Sequence, residues 1–591
     1  MIDNRNMIIA VVLSIIILLS FDMYFSETRP PPPDQQAQGE QVEGEQAKGR
    51  QAPPSPDRVP AKPSAPDAAV PTVPGAPTSA DWNATRKAAL QTGPRVRINS
   101  PRLHGSIALE GGTLDDLTLI DYREALDPDS PEIVLLIPRN TANAYFAEFG
   151  WVAGEGQAVP GADTRWQADG DVLSPDTPVT LRWDNGQGLR FSRTYAIDRN
   201  YLFTVTQKVE NTGDKPATLY PYGLISRRGT PHVTGYYILH EGLMGVADGT
   251  LSEIDYDEIK EKGQIKQSAK GGWIGITDKY WLTALVPDRA ARVNSRFVHR
   301  VDSGDDVYQV DYLSGPVTIA PGGAGDNRVH MFAGAKEVKL VDAYNEALNI
   351  DRLDLAIDFG WFYFLTKPIF YALLYINDHV RNFGVSILLL TVAIKIAFFP
   401  LANKSYVSMS KMKKLQPEIV KLRERFGDDK VRLNEEMMAL YKREKANPAS
   451  GCLPILIQIP VFFALYKVLF VNIEMRHAPF FGWIEDLSAA DPTSLFNLFG
   501  LIPWAPPDFL MIGAWPLIMG ISMFLQQKLN PQPTDPLQAK IFLFLPLFFT
   551  FLLARFPAGL VIYWAWNNIL SMLQQWVIMR RMGIKGKQAL Q

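Results

Sequence analysis

A lysine inside an apolar run is the feature that most limits what this chain can become. Residues 384–402 (GVSILLLTVAIKIAFFPLA) are long and apolar enough to cross a bilayer, and Lys395 stands near their middle. An ammonium there costs at least ~2.5–3.5 kcal/mol on insertion scales, so it needs water or a polar partner. Either its four-carbon stem snorkels to an interface, or the helix lines a hydrated, positively charged hollow within the membrane. With about half the span on either side the stem reaches poorly, which favours the hollow.

The rest of the chain divides around this point. Up to about residue 340 it reads as soluble, and beyond that as membrane-embedded. A single cysteine, Cys452, means that no internal disulfide can form, so an extracytoplasmic domain must stand on its core alone. The net charge of −3 points to no nucleic-acid partner, and only the placement of charge is informative. Residues 7–21 are apolar, with Arg5 before them and Asp22 and Glu27 after. That polarity predicts a cytoplasmic N-terminus. A cleaved signal peptide competes with an uncleaved anchor, and bulky Phe21, Tyr24 and Phe25 where a cleavage site would need small residues favour the anchor. Residues 27–81 hold 13 prolines and no aromatic residue, a composition that cannot bury enough apolar surface to offset chain entropy. A disordered or semi-extended tether is expected.

From 95 to 335 the period is two. Val179, Leu181 and Trp183 alternate with polar residues, Asp184-Asn185-Gly186-Gln187-Gly188 turns the chain, and Leu189, Phe191, Tyr195 and Ile197 continue the alternation. That is a hairpin, and many such short strands make a sandwich or a barrel. His104, His232, His240, His299 and His330 are scattered through this region without metal-ligand spacing, and His240-Glu241 is the one pair that could do acid–base or metal chemistry. Residues 336–358 read as an amphipathic helix, and 361–381, interrupted by Lys367-Pro368 and Asp378-His379, as a helix lying in the interface.

Five apolar spans follow, at roughly 384–402, 453–471, 510–527, 541–556 and 558–577, the two shortest near the lower limit for a crossing. Residues 403–450 carry 12 Lys/Arg against 7 Asp/Glu, and the tail after Arg580-Arg581 is basic. Positive charge on the inside then places both termini in the cytoplasm and residues 27–355 outside. The basic loop reads as two helices joined at Phe426–Asp429, with stripes Leu415, Ile419, Leu422, Phe426 and Leu433, Met437, Leu440 forming an antiparallel hairpin. Its charge suits anionic lipid or ribosomal RNA, or simply a solvated face. Met409, Met412, Met437 and Met438 suit adaptable contacts or the hairpin core.

Thr391 and Lys395 are four apart and share a helix face, and Gln458 lies in the next span. Asn567, Ser571 and Gln574 make one stripe on the last span, beside Asn568. Such residues often only glue membrane helices together. A lysine with no membrane-embedded carboxylate in reach argues instead for a surplus charge that attracts an anionic or polar peptide segment. A small-anion transporter is a rival reading that needs inverted repeats, and none is visible. A carbohydrate-active enzyme on an anchor is another, and it would put the function in 95–335. There is no GxxxxGK[ST] nucleotide loop and no metal pattern, so no cofactor is expected.

Several stretches resemble one family closely: AFFPLANKSYVSMSKMKKLQPEI at 397–419, ERFGDDK at 424–430, EEMMALYKREKANPASGCLPILIQIPVFFALYKVL at 435–469, RHAPFFGWIEDLSAADP at 476–492 and FPAGLVIYW at 556–564. About residues 355–582 resemble the Oxa/Alb/YidC membrane protein insertases, and the N-terminal half resembles their Gram-negative form. The resemblance implies a polytopic α-helical membrane protein of six transmembrane helices, five of them forming the core, plus a periplasmic all-β supersandwich similar to sugar-mutarotase folds. The organisation it implies is a signal anchor at 1–26 and a Pro-rich linker at 27–90, then the β domain at 91–340 and interfacial helices at 341–382. The core at 383–582 carries the hairpin 403–450, and a basic tail closes the chain at 583–591. A hydrophilic groove would be lined by Lys395, Thr391, Gln458, Tyr563, Trp564, Asn567 and Ser571. Ile459, Phe462, Phe548 and Leu552 would form an apolar slide for the entering segment. Most members carry Arg where this chain has Lys395, so the charge is kept and the planar fork is lost. The segment 497–509 is longer than the family pattern. Implied partners are nascent membrane-protein segments, the Sec translocon (SecYEG, SecDF), anionic lipids, and the ribosome or signal recognition particle through the hairpin and tail. The implied activity is insertion and folding of inner-membrane proteins, which is not an enzymatic reaction.

Overall fold

The computed structural model describes residues 85–581 apart from 154–156, 234–238, 361, 427–428, 445, 447–452, 505, 508–509 and 531–535, with no side chains described at 430, 453–457 and 536–538. The expected anchor, nearly all of the linker, the tail beyond Arg581, Cys452 and the Gly427-Asp428 tip of the hairpin lie outside the described residues.

Between Arg95 and Ala335 the chain forms two sheets, of eleven and nine strands among the described residues. The alternation that marks a half-buried strand shows in Leu189–Ile197, whose residues 189, 191, 193, 195 and 197 all point inward. This strand pairs with Val179–Asp184 across the turn, Trp183 opposite Phe191 and Asp184 opposite Arg190. Inside, Phe149 of the larger sheet meets Tyr195 of the smaller edge-on at 6.3 Å. The sheets therefore form a sandwich, whose aliphatic core is keyed by buried aromatic rings such as Phe149, Tyr195 and Tyr308.

One inward position in that strand is charged. Arg193 is buried and gives its guanidinium to the carbonyls of Gly112, at 2.8 Å, and Phe149 on the opposite sheet, while stacking 4.7 Å from the centre of the Trp166 ring. A buried charge is tolerable where carbonyl dipoles and a ring face replace its water. Here it cross-links the layers.

The helices follow, after two short ones, α1 (Arg86–Ala89) ahead of the first strand and α2 (Tyr256–Lys262) between strands. The amphipathic stretch at 336–358 does not form one helix. It gives α3 (Val338–Ala347) and then a 3-10 turn, Leu353–Ala356, because Asn349 and Arg352 adopt left-handed backbone at φ 52° and 51°. Helix α4 (Tyr363–Val380) is held to these by Lys367, which bonds Asp342 at 3.0 Å and Asp354 at 2.9 Å, and its Phe364 and Tyr375 face outward.

Helix α5 (Phe383–Ala397) starts where Asn382 accepts the N–H of Val385, and it stops short of the expected span. Pro400 has no N–H to give the Ile396 carbonyl and its ring crowds that oxygen, so α5 cannot run on and the chain bends by 70° into α6 (Phe399–Phe426). Helix α7 (Lys430–Arg443) returns antiparallel, with Leu415, Ile419 and Leu440 closing the pair and Met412 and Met437 alongside. Met409 instead packs with Tyr406 against Ile578, and Met438 is exposed.

Helices α8 (Leu453–Val471), α9 (Ala514–Leu529), α10 (Pro536–Leu553) and α11 (Ala558–Arg581) complete the core. Helix α11 is central and packs on α5, α6, α8 and α9. Among the described residues no single helix is long and apolar enough to cross a membrane, and only the bent α5–α6 pair reaches that standard together. The expectation of separate full spans is therefore not met here. Gly513 caps α9 three residues later than the apolar run begins, and Phe556-Pro557 ends α10 before the run does.

Candidate functional site

Three helices bring their polar residues to one place. Lys395 on α5 donates from Nζ to Ser571 Oγ on α11 at 2.8 Å and stands 3.5 Å from Gln458 Oε1 on α8. Gln458 Nε2 in turn donates to the Tyr563 hydroxyl at 2.8 Å, and Tyr563 is fully buried. The Ser571 hydroxyl itself donates to the Asn567 carbonyl at 2.7 Å. No carboxylate takes the ammonium among the described residues, so its charge is solvated by neutral dipoles alone.

The sequence grouping needs two changes. Thr391 shares the face of Lys395, but its hydroxyl donates to the Ile387 carbonyl at 2.6 Å and not toward the ammonium. Threonine in an apolar helix often bonds its own backbone one turn back, which settles the hydroxyl without help from neighbours. The stripe on α11 also divides. Ser571 meets the lysine, whereas Asn568 donates to Ser522 on α9 at 3.1 Å and Gln575, not Gln574, is the buried glutamine, bonding the Leu529 carbonyl at 3.1 Å. Those two are interhelical glue. The Asn567 side-chain oxygen is shut away from solvent with no partner.

Of the apolar candidates, Ile459, Phe548 and Leu552 are exposed, at 43%, 59% and 46%. Phe462 is partly covered, with its ring centre 4.7 Å from that of Trp564, and Trp564 also meets Phe549 at 5.6 Å. Phe462 and Trp564 thus join α8, α10 and α11, and the open surface lies on either side of them. Tyr406 and Trp566 were not singled out in the sequence. Tyr406 lies against Ser571, and Trp566 donates to the Leu388 carbonyl at 3.2 Å. Only the i, i+4 and i, i+7 spacings of a helix already known to pack centrally would have found them.

The β domain offers less chemistry. His240 uses both ring nitrogens, Nδ1 on Asp255 at 3.1 Å and Nε2 on the Leu243 carbonyl at 3.0 Å. Burial would lower its pKa, but the Asp255 bond and the Glu253 charge outweigh that and raise it above the ordinary imidazole value. Glu241 accepts the backbone N–H of Lys279 at 3.1 Å. The pair is occupied structurally. Among the described residues no cluster of three or more His, Cys, Asp or Glu could hold a metal.

Comparison with known proteins gives the following. A family model described as the YidC periplasmic domain matches residues 95–372, and one described as the 60Kd inner membrane protein matches 375–585. The membrane protein insertase YidC of Bradyrhizobium diazoefficiens is 52% identical over 603 residues, covering 99% of this chain and 97% of that one. The protein of the same name from Methylobacterium sp. (strain 4-46) is 53% identical over 605 residues, covering 99% and 96%. A crystal structure of an active YidC insertase with its first transmembrane domain resolved is 17% identical, covers 82% of this chain and 95% of that one, and superposes with a TM-score of 0.35.

Proposed function

Because the chain belongs to the YidC family of membrane protein insertases of the bacterial inner membrane, we propose that Lys395 and its neutral partners receive the polar flank of an entering segment. Among the described residues the cation is met by a serine, a glutamine and their hydrogen-bonded neighbours and by no carboxylate, so its charge is not neutralised. That is the observation on which the reading rests. In a low-dielectric surrounding such a charge attracts acidic or polar groups and lowers the cost of carrying them part-way across. The apolar part of the same segment then moves along Ile459, Phe548 and Leu552, past Phe462, into lipid. Apolar burial drives the step, and the membrane potential adds pull on an acidic flank.

In this reading the chain has six transmembrane helices, five of them around a hydrophilic groove, with both termini cytoplasmic and residues 27–355 periplasmic. The 403–450 hairpin and basic tail meet anionic lipid and the ribosome or signal recognition particle, and the protein works alone or beside the Sec translocon. In this reading α8, with 19 residues, and α10, with 18, are about 27–29 Å long against a hydrocarbon core of about 30 Å, and the bilayer thins around the path to match them.

The test is insertion of a small single-span substrate with an acidic flank into proteoliposomes, with Lys395→Ala, Lys395→Arg and Lys395→Glu beside wild type. Loss with Ala and Glu and retention with Arg support a role for the charge. Full activity of Lys395→Ala overturns it, and inactive wild type reopens the transporter reading.

A further inference from the structure

The loop between α8 and α9 carries a feature that the insertion site does not use. Residues 495–504 (LFNLFGLIPW) contain no charged residue, yet Phe496, Leu498, Phe499, Leu501, Ile502 and Trp504 are all exposed, Leu501 at 83%. Apolar side chains gathered on one short loop are a poor surface to leave in water.

The loop also satisfies its own backbone. Phe499 N–H donates to the Ser494 carbonyl at 2.8 Å, Ile502 N–H to Asn497 at 3.0 Å and Trp504 N–H to Ile502 at 2.8 Å. Asn497, its one polar side chain between Leu495 and Trp504, is used twice, accepting from Gly500 N–H at 3.0 Å and donating to the Trp504 carbonyl at 3.3 Å. Leu498 and Phe499 sit in left-handed backbone at φ 50° and 57°, a conformation that bulky residues rarely adopt and that here turns both side chains outward. Internal hydrogen bonding with an apolar exterior is what a segment needs before it can leave water.

Its position is fixed. Ser494 Oγ donates to the Leu510 carbonyl at 2.9 Å and Leu495 N–H to Ile512 at 2.9 Å, just ahead of α9. Nearer α8, the connection between α8 and α9 reaches the β domain, where Arg476 donates to the Arg123 carbonyl at 2.6 Å, so this end of the helical core is the one beside that domain. On α9 the apolar surface continues outward through Ile518 and Ile521.

We infer that residues 495–504 are a membrane anchor, seated at the headgroup–acyl boundary of the leaflet that faces the β domain. The occupant is lipid because the patch is uncharged, runs into the outward face of α9 and ends on a tryptophan, a side chain suited to that boundary. The inference needs only that the helical core lies in a membrane, so it stands or falls apart from the role of Lys395.

The experiment uses the full chain with Cys452→Ser, which removes its single cysteine. A nitroxide is placed at Leu501→Cys, at Ile502→Cys, or at Val301→Cys on the exposed β surface, and the proteins are reconstituted in phosphatidylethanolamine–phosphatidylglycerol vesicles. Power saturation with oxygen and with a neutral nickel chelate reads depth. The labels at 501 and 502 are expected to be several-fold less accessible to nickel and more accessible to oxygen than the label at 301, with no change on dilution in lipid. Equal nickel accessibility at all three sites overturns the anchor. Protection that fades on dilution overturns it too, since a second copy would then be the cover.

Discussion

Lys467 on α8 and Asp358, on the segment that leaves the β sandwich, meet at 2.6 Å and tie the helical core to the domain before it. Asp358 is a hub, since it also accepts the His240 N–H at 3.3 Å and the Gly360 N–H at 3.0 Å. Gly360 has φ 70°, and a Cβ there would stand 2.9 Å from Lys467 Cε. Removing the carboxylate leaves three donors without their acceptor, so Asp358→Ala should destabilise by about 1–3 kcal/mol and Asp358→Asn by less. A double-mutant cycle with Lys467→Met, read by denaturant unfolding in detergent, should give a coupling well above ~0.5 kcal/mol. Additive effects would mean that the two residues are near each other without acting together.

A second contact between the same parts depends on pH. Glu474, in the turn after α8, is pushed up to about 7 by burial, and the negative charge of Glu337 adds to that while Lys339 opposes it. Its Oε2 is shut off from solvent without a hydrogen-bond partner. A carboxyl raised in the folded state binds more protons there than in the unfolded chain between about 4.5 and 7. Stability from this group is therefore full at acid pH and is lost as pH rises toward and past 7. The melting temperature in detergent should fall between pH 5 and 8, and Glu474→Gln should flatten that slope and raise the value at pH 8 by on the order of 1 kcal/mol equivalent. A slope unchanged by the substitution would assign the pH dependence elsewhere.

What was legible in the sequence follows a physical line. Period-two alternation is a local property, so the 179–197 hairpin could be read directly. Arg193 reads as an outward polar residue until Gly112 and Phe149 are known to stand opposite it. Lys395 was visible because a charge in an apolar run is an anomaly at the level of the sequence itself. Its bond to Ser571, 176 positions away, was not visible, because nothing local says which of the polar residues on α11 faces which neighbour. For the same reason nothing local says that Asn568 bonds Ser522 on α9 while the neighbouring Asn567 gives its carbonyl to Ser571 within α11.

That division ranks the substitutions around Lys395. Ser571→Ala removes the 2.8 Å acceptor of the ammonium, and an acceptor for a charged donor contributes about 1.5–3 kcal/mol. Insertion of an acidic-flank substrate should drop about tenfold or more if the lysine must be held in place. Gln458→Leu should act in the same direction but less, since its oxygen is 3.5 Å away. Thr391→Val keeps the shape and loses only a bond to Ile387, so insertion should stay within about twofold of wild type. The reverse order, with Thr391→Val the most damaging, would place the functional contact at the Thr391 hydroxyl, one turn from the ammonium on the same face of α5.

A tight steric relationship in the helical core concerns Gly520 on α9. A Cβ built there would lie 2.0 Å from Thr550 Oγ1 on α10, a distance no real contact tolerates. Thr550 cannot simply swing away, because it is buried and its hydroxyl holds the Pro546 carbonyl at 2.8 Å. Close approach of two helices over a glycine is a common way to gain van der Waals contact where lipid leaves no hydrophobic drive between helices. Gly520→Ala should force α9 and α10 apart and cost about 1–3 kcal/mol, read as a lower inactivation temperature in detergent. Thr550→Ala removes that oxygen and leaves the Cβ of residue 550, 3.3 Å away, as the nearest atom, so the double variant Gly520→Ala with Thr550→Ala should lose less stability than the sum of the two single losses. Gly315→Ala, where nothing stands within 4 Å, should change little. If Gly520→Ala alone were equally harmless, α9 and α10 would not be packed as closely as these atoms place them, and the exposed face of α10 that carries Phe548 and Leu552 would have to be redrawn with it.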